Sequence, residues 1–518
     1  VDIVRPQINL EILPDGTPNW RGIDLAGRIP ENGMFSLASI SLDRARFEDA
    51  TINYHNRANG RRWKAERARG EIVASSLLGP MRADVEAVFS GVPVTTRIGL
   101  GAFGGQKAFQ VTFDVEAKNY PAQFLFSGVA TEFSLAARLD GNGRLRIGEA
   151  KQGGDTAPLR IDAGMVVNAR RADLRNLTVS ANGSTLTGTG QARWDGRPRF
   201  TLDLAAESFS LDPLLDPFIS EGEAGEASLA DRMLALSVPA DIDGRLKLAA
   251  KTLLVRDVPL REVAIDAVLQ DGAIELGRAA AELGGATEVE LSGKASNADG
   301  GMRFIGNGEV RSGNVAALAS WLSPDMNRET AARPGAPSRP FAARSRFDLR
   351  AGHYLFNGVE LAYARNLSEP GLRGKLSSEK LDGRPLIRTD LEIGQFDFDP
   401  LIALLPEGGD PYAWFDARDI ALTLKADEMV IFGQAMKGAD AEMSLRSGRL
   451  AISRFNVADI SGAALALTGD LDGVTAGTRH DVKGRFNGSI KADRFGGILA
   501  IGGFDVPDVE GPVDIVVN

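Results

Sequence analysis

Alternation of apolar and polar residues runs through almost the whole chain and constrains its fold more than any other feature. Val111–Val115, Glu288–Leu291, Ala421–Lys425 and Leu465–Thr468 each place their large apolar side chains at every second position. Because neighbouring side chains in a strand point to opposite faces, this spacing predicts half-buried β-strands.

Turn signals separate these segments at short intervals. Asp-Gly sequences stand at Asp140–Gly143, Asp195–Gly196, Asp271–Gly272 and Asp472–Gly473, and they favour the tight turns that join antiparallel strands. Glycine contributes 59 of 518 residues with no collagen-like period, which is typical of a fold with many turns. The sequence therefore predicts antiparallel meanders of many short strands.

A longer pattern recurs along the chain: a glycine-started strand, a polar turn, a second strand and a short apolar helix. The best copy runs from Asn182 to Leu215, and a second runs from Gly285 to Leu318. The closing helix recurs at Phe398–Ile402 and Phe495–Leu499. We predict repeats of about 94 residues, each closed by a bracing helix.

Two acidic residues mark the start of this recurring helix. Asp212 and Asp399 each precede a proline, and a short acidic side chain followed by proline is typical of a helix N-terminus. We interpret both as structural capping residues rather than catalytic acids.

Two polar segments interrupt the alternation. Residues 323–340 are rich in Pro, Ala and Arg without periodicity and predict a flexible loop, whereas residues 219–230 predict a polar insertion with a little helix. The predicted regions are an N-terminal β region at 1–155, groove repeats at 156–322, the linker at 323–340 and further groove repeats at 341–518.

Charge and cysteine content argue against several functional classes. The net charge is -10 and is mixed along the chain, whereas nucleic-acid binding requires a basic stripe. Cysteine is absent, which removes disulfides, thiol nucleophiles and cysteine metal sites. We therefore predict no nucleic-acid partner and no metal site.

Catalytic patterns are also weak. The three histidines, His55, His353 and His480, lack the spacing of a zinc protease. Gly99–Gly104 matches a dinucleotide-binding glycine pattern, but an alternating strand follows it where a phosphate-binding helix is required. We predict a protein that is not an enzyme and uses no cofactor.

The strands leave a large aliphatic face that needs a cover. Apolar surface left in water costs about 25 cal/mol per Å². A second sheet, the same sheet curled on itself, or a ligand with acyl chains would each cover it. Periodicity alone leaves these three arrangements open.

The beginning of the chain resembles a known family. The motif comprises Pro6, Ile8, Leu10 and Glu11, followed by Asp15-Gly16 and Asn19-Trp20. It is similar to the opening signature of the AsmA-like family of bacterial envelope proteins. Residues 37–60, 78–93 and 184–215 are similar to later strand pairs and repeats of that family.

The resemblance implies a bridge-like lipid carrier. Such a protein is mostly β, with a long antiparallel sheet curled into a repeating apolar groove and braced by short helices. It implies a place in the periplasm, with phospholipids, the inner and outer membranes and envelope proteins as partners, and no catalytic residues.

Members of the family usually begin with one transmembrane helix in the inner membrane. Val1–Val4 already has the pattern of a strand, and no Met begins the chain. We therefore expect this sequence to be a piece of a longer protein anchored in the inner membrane.

Strand parity predicts which residues line such a groove. The predicted lining residues are Val289, Leu291, Leu422, Leu424, Leu465 and Leu467. Glu288, Glu290 and Lys425 alternate with them and are expected to face water. On this interpretation the chain transports phospholipids between two membranes. The alternative is a structural or assembly factor of the envelope, with a closed, packed sheet and no lipid cargo.

Overall fold

The chain is almost entirely β-sheet in the residues that its computed structural model describes. These are residues 1–15, 17, 19, 41–57, 60–102, 108–131, 137–148, 159–212, 229–255, 258–314, 339–364, 366–381, 383–402, 418–431, 433–473, 483–494 and 510–517. They contain 28 strands and two short helices. The predicted mostly β, antiparallel-dominated fold class is confirmed.

Two compact units divide the chain. The first comprises Val1–Pro217, Ala240–Asp257 and Leu269–Asp271, and the second comprises Phe218–Pro239, Val258–Val268 and Gly272–Asn518. The four regions expected from the sequence, and the curling of the sheet, stay predictions.

Antiparallel pairing dominates the first unit. Its strands are β1 (Asp2–Val4), β2 (Gln7–Ile12), β3 (Leu42–Asn56), β4 (Arg61–Ala74), β5 (Met81–Phe89), β6 (Val92–Leu100), β7 (Phe109–Ala117), β8 (Ala122–Ala130), β9 (Leu139–Ile147), β10 (Leu159–Val167), β11 (Arg171–Ala181), β12 (Ser184–Arg193), β13 (Arg199–Ser210) and β14 (Asp243–Val255). From β3 to β13 each strand pairs antiparallel with the next. β1 and β2 pair in parallel with β3.

The second unit continues the same pattern. Its strands are β15 (Val258–Gln270, of which 258–268 belong to this unit), β16 (Ala273–Leu283), β17 (Thr287–Ala298), β18 (Gly301–Ser312), β19 (Phe341–Arg350), β20 (His353–Ala362), β21 (Leu372–Leu381), β22 (Arg384–Asp397), β23 (Asp419–Ile431), β24 (Gln434–Arg446), β25 (Arg449–Ile460), β26 (Ala463–Asp472), β27 (Lys483–Arg494) and β28 (Glu510–Val517). From β16 to β28 each strand pairs with the next.

One parallel pair interrupts the meander in each unit. β13 pairs in parallel with β14, and β22 pairs in parallel with β23. Parallel neighbours need a crossover of a dozen or more residues, and the segments after Asp212 and Asp399 are long enough to supply one. After Asn314 and Arg494, by contrast, the next strand pairs antiparallel. The connections that follow Asp212, Asn314, Asp399 and Arg494 are therefore not equivalent in topology.

Short helices brace the sheet at the strand ends of the second unit. Helix α1 (Leu229–Leu234) lies beside β18 and β19. The Asp231 carboxylate accepts hydrogen bonds of 2.6 Å from the Gly352 backbone N–H and from the Tyr354 hydroxyl. This contact fixes the helix to the turn between β19 and β20.

Helix α2 (Asp399–Ile402) confirms the helix expected at Phe398–Ile402. The Asp397 carboxylate accepts a hydrogen bond from the Asp399 backbone N–H, at 3.0 Å. The Asp399 carboxylate instead accepts one from the Gly433 backbone N–H, at 2.7 Å, and so ties the helix to the turn between β23 and β24. The helices expected at 213–215, 315–318 and 495–499, and the loop at 323–338, lie outside the described residues.

Candidate functional site

A single row of apolar residues crosses the second unit from β16 to β28. Each member pairs directly with the next across the sheet, so all of them lie on one face. We call this the apolar row, and it consists of Ala281, Val289, Val310, Ala343, Leu361, Leu372, Ile393, Ala426, Ala439, Val457, Leu465, Ile490 and Ile515. No polar residue interrupts the apolar row over its thirteen strands. We call the face of the sheet that carries this row the apolar face.

The predicted lining residues all fall on the apolar face. Val289 and Leu465 are members of the apolar row, although eight strands lie between β17 and β26, which carry them. Leu291 lies two residues from Val289, and Leu467 lies two residues from Leu465. The structure places Val289 and Leu465 in one row, which sequence spacing alone did not connect. Their role in binding a ligand stays a prediction.

A second row runs beside the apolar row from β21 to β27. Its members are Gly374, Leu391, Leu424, Ala441, Phe455, Leu467 and Gly488. Leu422 belongs to the next row, where it pairs with Thr389 and Met443. Rows two residues apart lie about 7 Å from each other along the strands.

Ion pairs cover the opposite face. Glu290 pairs directly with Glu309, and this like-charge contact is balanced because Arg278 Nε lies 3.3 Å from Glu290 and Arg311 Nη2 lies 2.6 Å from Glu309. Lys425 pairs with Asp440 across β23 and β24. Exposed pairs of this kind contribute little stability, so their main effect is to keep this face hydrated.

Burial of the apolar face changes along the strands. In β23, Met429, Ala426 and Leu424 are buried, whereas Leu422 and Ile420 are half-buried. In β21, Leu372 is 3% exposed and Leu376 is 36% exposed. Ile460 and Ala463 mark the same buried end on β25 and β26. The apolar face therefore has a buried end and a more open end.

Basic residues collect at the open end. They stand at strand ends next to turns. The pairing from β19 to β27 aligns these positions at the same end of the strands. We call them the basic rim, and they are Arg350, Lys380, Arg384, Arg446, Arg449 and Lys483.

Acidic residues at this end are engaged by their neighbours. Asp419 is buried, accepts a 3.0 Å hydrogen bond from the Ser447 backbone N–H and lies 3.3 Å from Arg384 Nε. Asp472 lies 3.6 Å from Arg449. Among the described residues of this end, Arg446 and Lys483 are exposed, and the register places both on the face opposite the apolar row.

The buried end carries aromatic and acidic groups. Tyr363 stacks on Phe396 with ring centroids 4.7 Å apart. Burial, together with the nearby Asp397 carboxylate, raises the pKa of Tyr363 to about 12. The Asp397 carboxylate accepts a hydrogen bond from Arg339 Nη1, at 3.1 Å. Ionisation of the Tyr363 hydroxyl is thus disfavoured.

The first unit has an apolar row of its own. Each member again pairs directly with the next, from β3 to β14. The row consists of Leu42, Ala74, Met81, Leu100, Val111, Gly128, Gly141, Met165, Leu174, Gly190, Leu202 and Leu246. Both units therefore have the same two-faced construction.

The basic rim was missed by sequence reasoning. The sequence signal for this cluster is arginine next to a glycine-containing turn, at every second turn along the chain. Examples are Arg350-Ala351-Gly352, Gly383-Arg384 and Arg446-Ser447-Gly448-Arg449. Charge along the whole chain is mixed, and this hid a local excess that becomes visible only when alternate turns are assigned to one end of the sheet.

No family model, curated protein or solved structure matches this chain. Among the described residues, no helix is long and apolar enough to cross a membrane. In the same residues, no three His, Cys, Asp or Glu side chains gather as metal ligands. The resemblance to AsmA-like proteins stays a prediction.

Proposed function

We propose that this chain carries phospholipids through the periplasm between the inner and outer membranes, along the apolar face of its sheet, without catalysing a reaction. The observation that supports the proposal best is the apolar row, which passes through thirteen consecutive strands without a polar residue. An acyl chain needs such continuity because an unpaired polar group in contact with it costs several kcal/mol.

The energetics of lipid transfer explain why this continuity matters. Two acyl chains of about 16 carbons, at roughly 0.8 kcal/mol per methylene, face more than ~20 kcal/mol on leaving a bilayer. Contact with a continuous aliphatic surface offsets most of this cost. The ion pairs on the opposite face keep the protein in water during transfer.

A structural or assembly role is the competing proposal. It requires the aliphatic face to be filled by protein. The strands β16 to β28 all belong to one ladder. None of these described strands of the second unit therefore forms a separate sheet that could cover the apolar face. This leaves the same sheet curled on itself, or a ligand, as the cover.

Photo-crosslinking tests the proposal. A photoreactive amino acid is placed at 291 or 465 on the apolar face, with 288 and 425 as matched positions on the opposite face. Capture of phospholipid in bacterial envelopes at the first pair only is the expected result. Equal capture on both faces, or none on either, would show that the apolar face is packed against protein.

A further inference from the structure

The outer edge of β2 in the first unit carries a contact that the proposed function does not use. β1 and β2 pair one after the other with the same edge of β3, and the other edge of β3 pairs with β4. Among the described strands, β1 and β2 are therefore the edge strands at this side of the first unit. The open edge of a strand is a template for pairing with another chain.

The bonds to β3 show which backbone groups of β2 face outward. The Ile12 carbonyl oxygen accepts a hydrogen bond of 2.8 Å from the Arg57 backbone N–H, directly after β3. Successive residues of a strand direct their N–H and C=O groups to opposite edges, so the even-numbered residues of β2 bond to β3. Asn9 and Glu11 therefore present their backbone groups on the outer edge.

Asn19 bonds three of these outward groups. Its Oδ1 accepts a hydrogen bond from the Glu11 backbone N–H, and its Nδ2 donates one to the Asn9 carbonyl oxygen, each at 3.0 Å. The Asn19 backbone N–H donates to the Glu11 carbonyl oxygen, at 2.8 Å. A side-chain amide has the same acceptor and donor as a peptide group. Asn19 therefore occupies this edge in the way that a further strand would.

Contacts earlier in the chain hold Asn19 in this position. The Leu13 backbone N–H donates to the Thr17 carbonyl oxygen, at 2.8 Å, which brings the chain back alongside β2. The Asp15 carboxylate accepts hydrogen bonds from the Thr17 backbone N–H, at 2.9 Å, and from its hydroxyl, at 2.7 Å. Asparagine and aspartate favour such side-chain turns. Asp15 and Asn19 of the opening motif thus form one local structure.

We propose that Asn19 is an edge cap, which keeps β2 from pairing with β2 of a second copy of this chain. Without the Asn19 side chain, the Glu11 N–H and the Asn9 carbonyl group can bond an added strand. Ile8 is 44% exposed and Leu13 is 36% exposed, so the uncapped edge also offers apolar side chains. Two identical strands are self-complementary when they pair around a twofold axis. This inference does not depend on lipid transport.

Asn19→Ala tests the cap in the full chain, and Asn53→Ala is the matched control. Asn53 of β3 donates a 2.9 Å hydrogen bond to the Asn9 side chain instead of to its backbone. In sedimentation velocity over a range of concentrations, Asn19→Ala should associate several-fold more strongly than the unchanged chain. Asn53→Ala should match the unchanged chain. Equal association of the two variants would overturn the proposal.

A second substitution tests whether the added association uses the edge of β2. Asn9→Pro removes an outward N–H, so it blocks a strand that pairs there and leaves the bonds to β3 in place. Asn19→Ala combined with Asn9→Pro should return to the mass of the unchanged chain. Association that persists in the double variant would place the contact elsewhere and refute the edge cap.

Hydrogen exchange provides a readout that does not require association. It is measured at a concentration where each variant has the mass of the unchanged chain. The Glu11 amide should exchange about tenfold faster in Asn19→Ala, because it loses its acceptor. The Leu10 amide faces β3 and should keep its rate. An unchanged rate at Glu11 would show that Asn19 does not protect this edge.

Discussion

Leu467 of β26 lies over Gly488 of β27, its direct cross-strand partner. A Cβ atom at Gly488 would stand 3.1 Å from Leu467 Cδ1 and 2.9 Å from the Ala466 carbonyl oxygen. Leu291 leans over Gly308 in the same way, where the corresponding distance is 3.0 Å. These glycines let leucine side chains cover the neighbouring strand, which keeps the face continuous where one strand offers no side chain.

The first prediction concerns this contact. Gly488→Ala should lower the free energy of unfolding by about 1–3 kcal/mol, because the added methyl group overpacks against Leu467 and the neighbouring backbone. Gly394→Ala is the control, since nothing lies within 4 Å of a Cβ at that position, and should change stability by about 0.5 kcal/mol or less. Urea unfolding measures both, and equal losses would contradict the packing described.

Asp348 is expected to make a pH-dependent contribution to the free energy of unfolding. Arg303 donates hydrogen bonds to both of its carboxylate oxygens and lowers the pKa of Asp348 in the folded protein. The unfolded carboxyl titrates near ~3.9, so the stabilisation is present above that pH and is lost as the pH falls through the lower folded pKa.

Asp348→Asn should therefore be less stable than the unchanged protein at pH 7, and the difference should shrink below about pH 4. Thermal unfolding at a series of pH values measures it. Asp299→Asn, in the exposed turn between β17 and β18, should show no such convergence. A difference for Asp348→Asn that stays constant into acid would refute the pairing with Arg303.

Tyr363 gives a prediction in the alkaline range. Its raised pKa of about 12 means that the neutral phenol is favoured in the folded state, so stability is lost as the pH rises from ~10, where an unfolded tyrosine ionises, toward 12. Phenolate absorbance should show a late-titrating step that loses one tyrosine in Tyr363→Phe. Tyr120→Phe, which removes an exposed tyrosine, should leave the late step in place.

A charge in the apolar row should stop lipid from being retained. Leu465→Asp places an ion between Val457 and Ile490, at a cost of several kcal/mol in contact with acyl chains. Thr468→Asp puts the same charge on an exposed position of the same strand and should have little effect. Phospholipid that co-purifies with each variant is the measurement, and circular dichroism checks the sheet. Equal lipid in both would show that the row does not contact lipid.

Local patterns predicted the strands and their two faces well, because alternation is a property of a few neighbouring residues. Glu288–Leu291 and Leu465–Thr468 lie in β17 and β26 with the expected parity. The same reasoning placed Val289 and Leu465 on an apolar side without relating them to each other.

Long-range features of the fold could not be predicted from such local patterns. Whether β22 pairs in parallel or antiparallel with β23 depends on the path of a long connection, which alternation does not encode. The continuity of the rows also depends on bulges, such as the one around Gly358, where the register between β20 and β21 shifts. The basic rim depends on both, since only the complete strand order assigns each turn to an end.

The antiparallel pairing of β24 with β25 and of β25 with β26 has a consequence for how such a chain can change in length. Insertion or loss of a whole hairpin returns the chain to the same side of the sheet, so the rim, the buried end and both faces keep their places. Insertion of one strand exchanges the two ends for everything that follows. Growth by pairs of strands is therefore the route by which evolution or design can lengthen this face without rebuilding it.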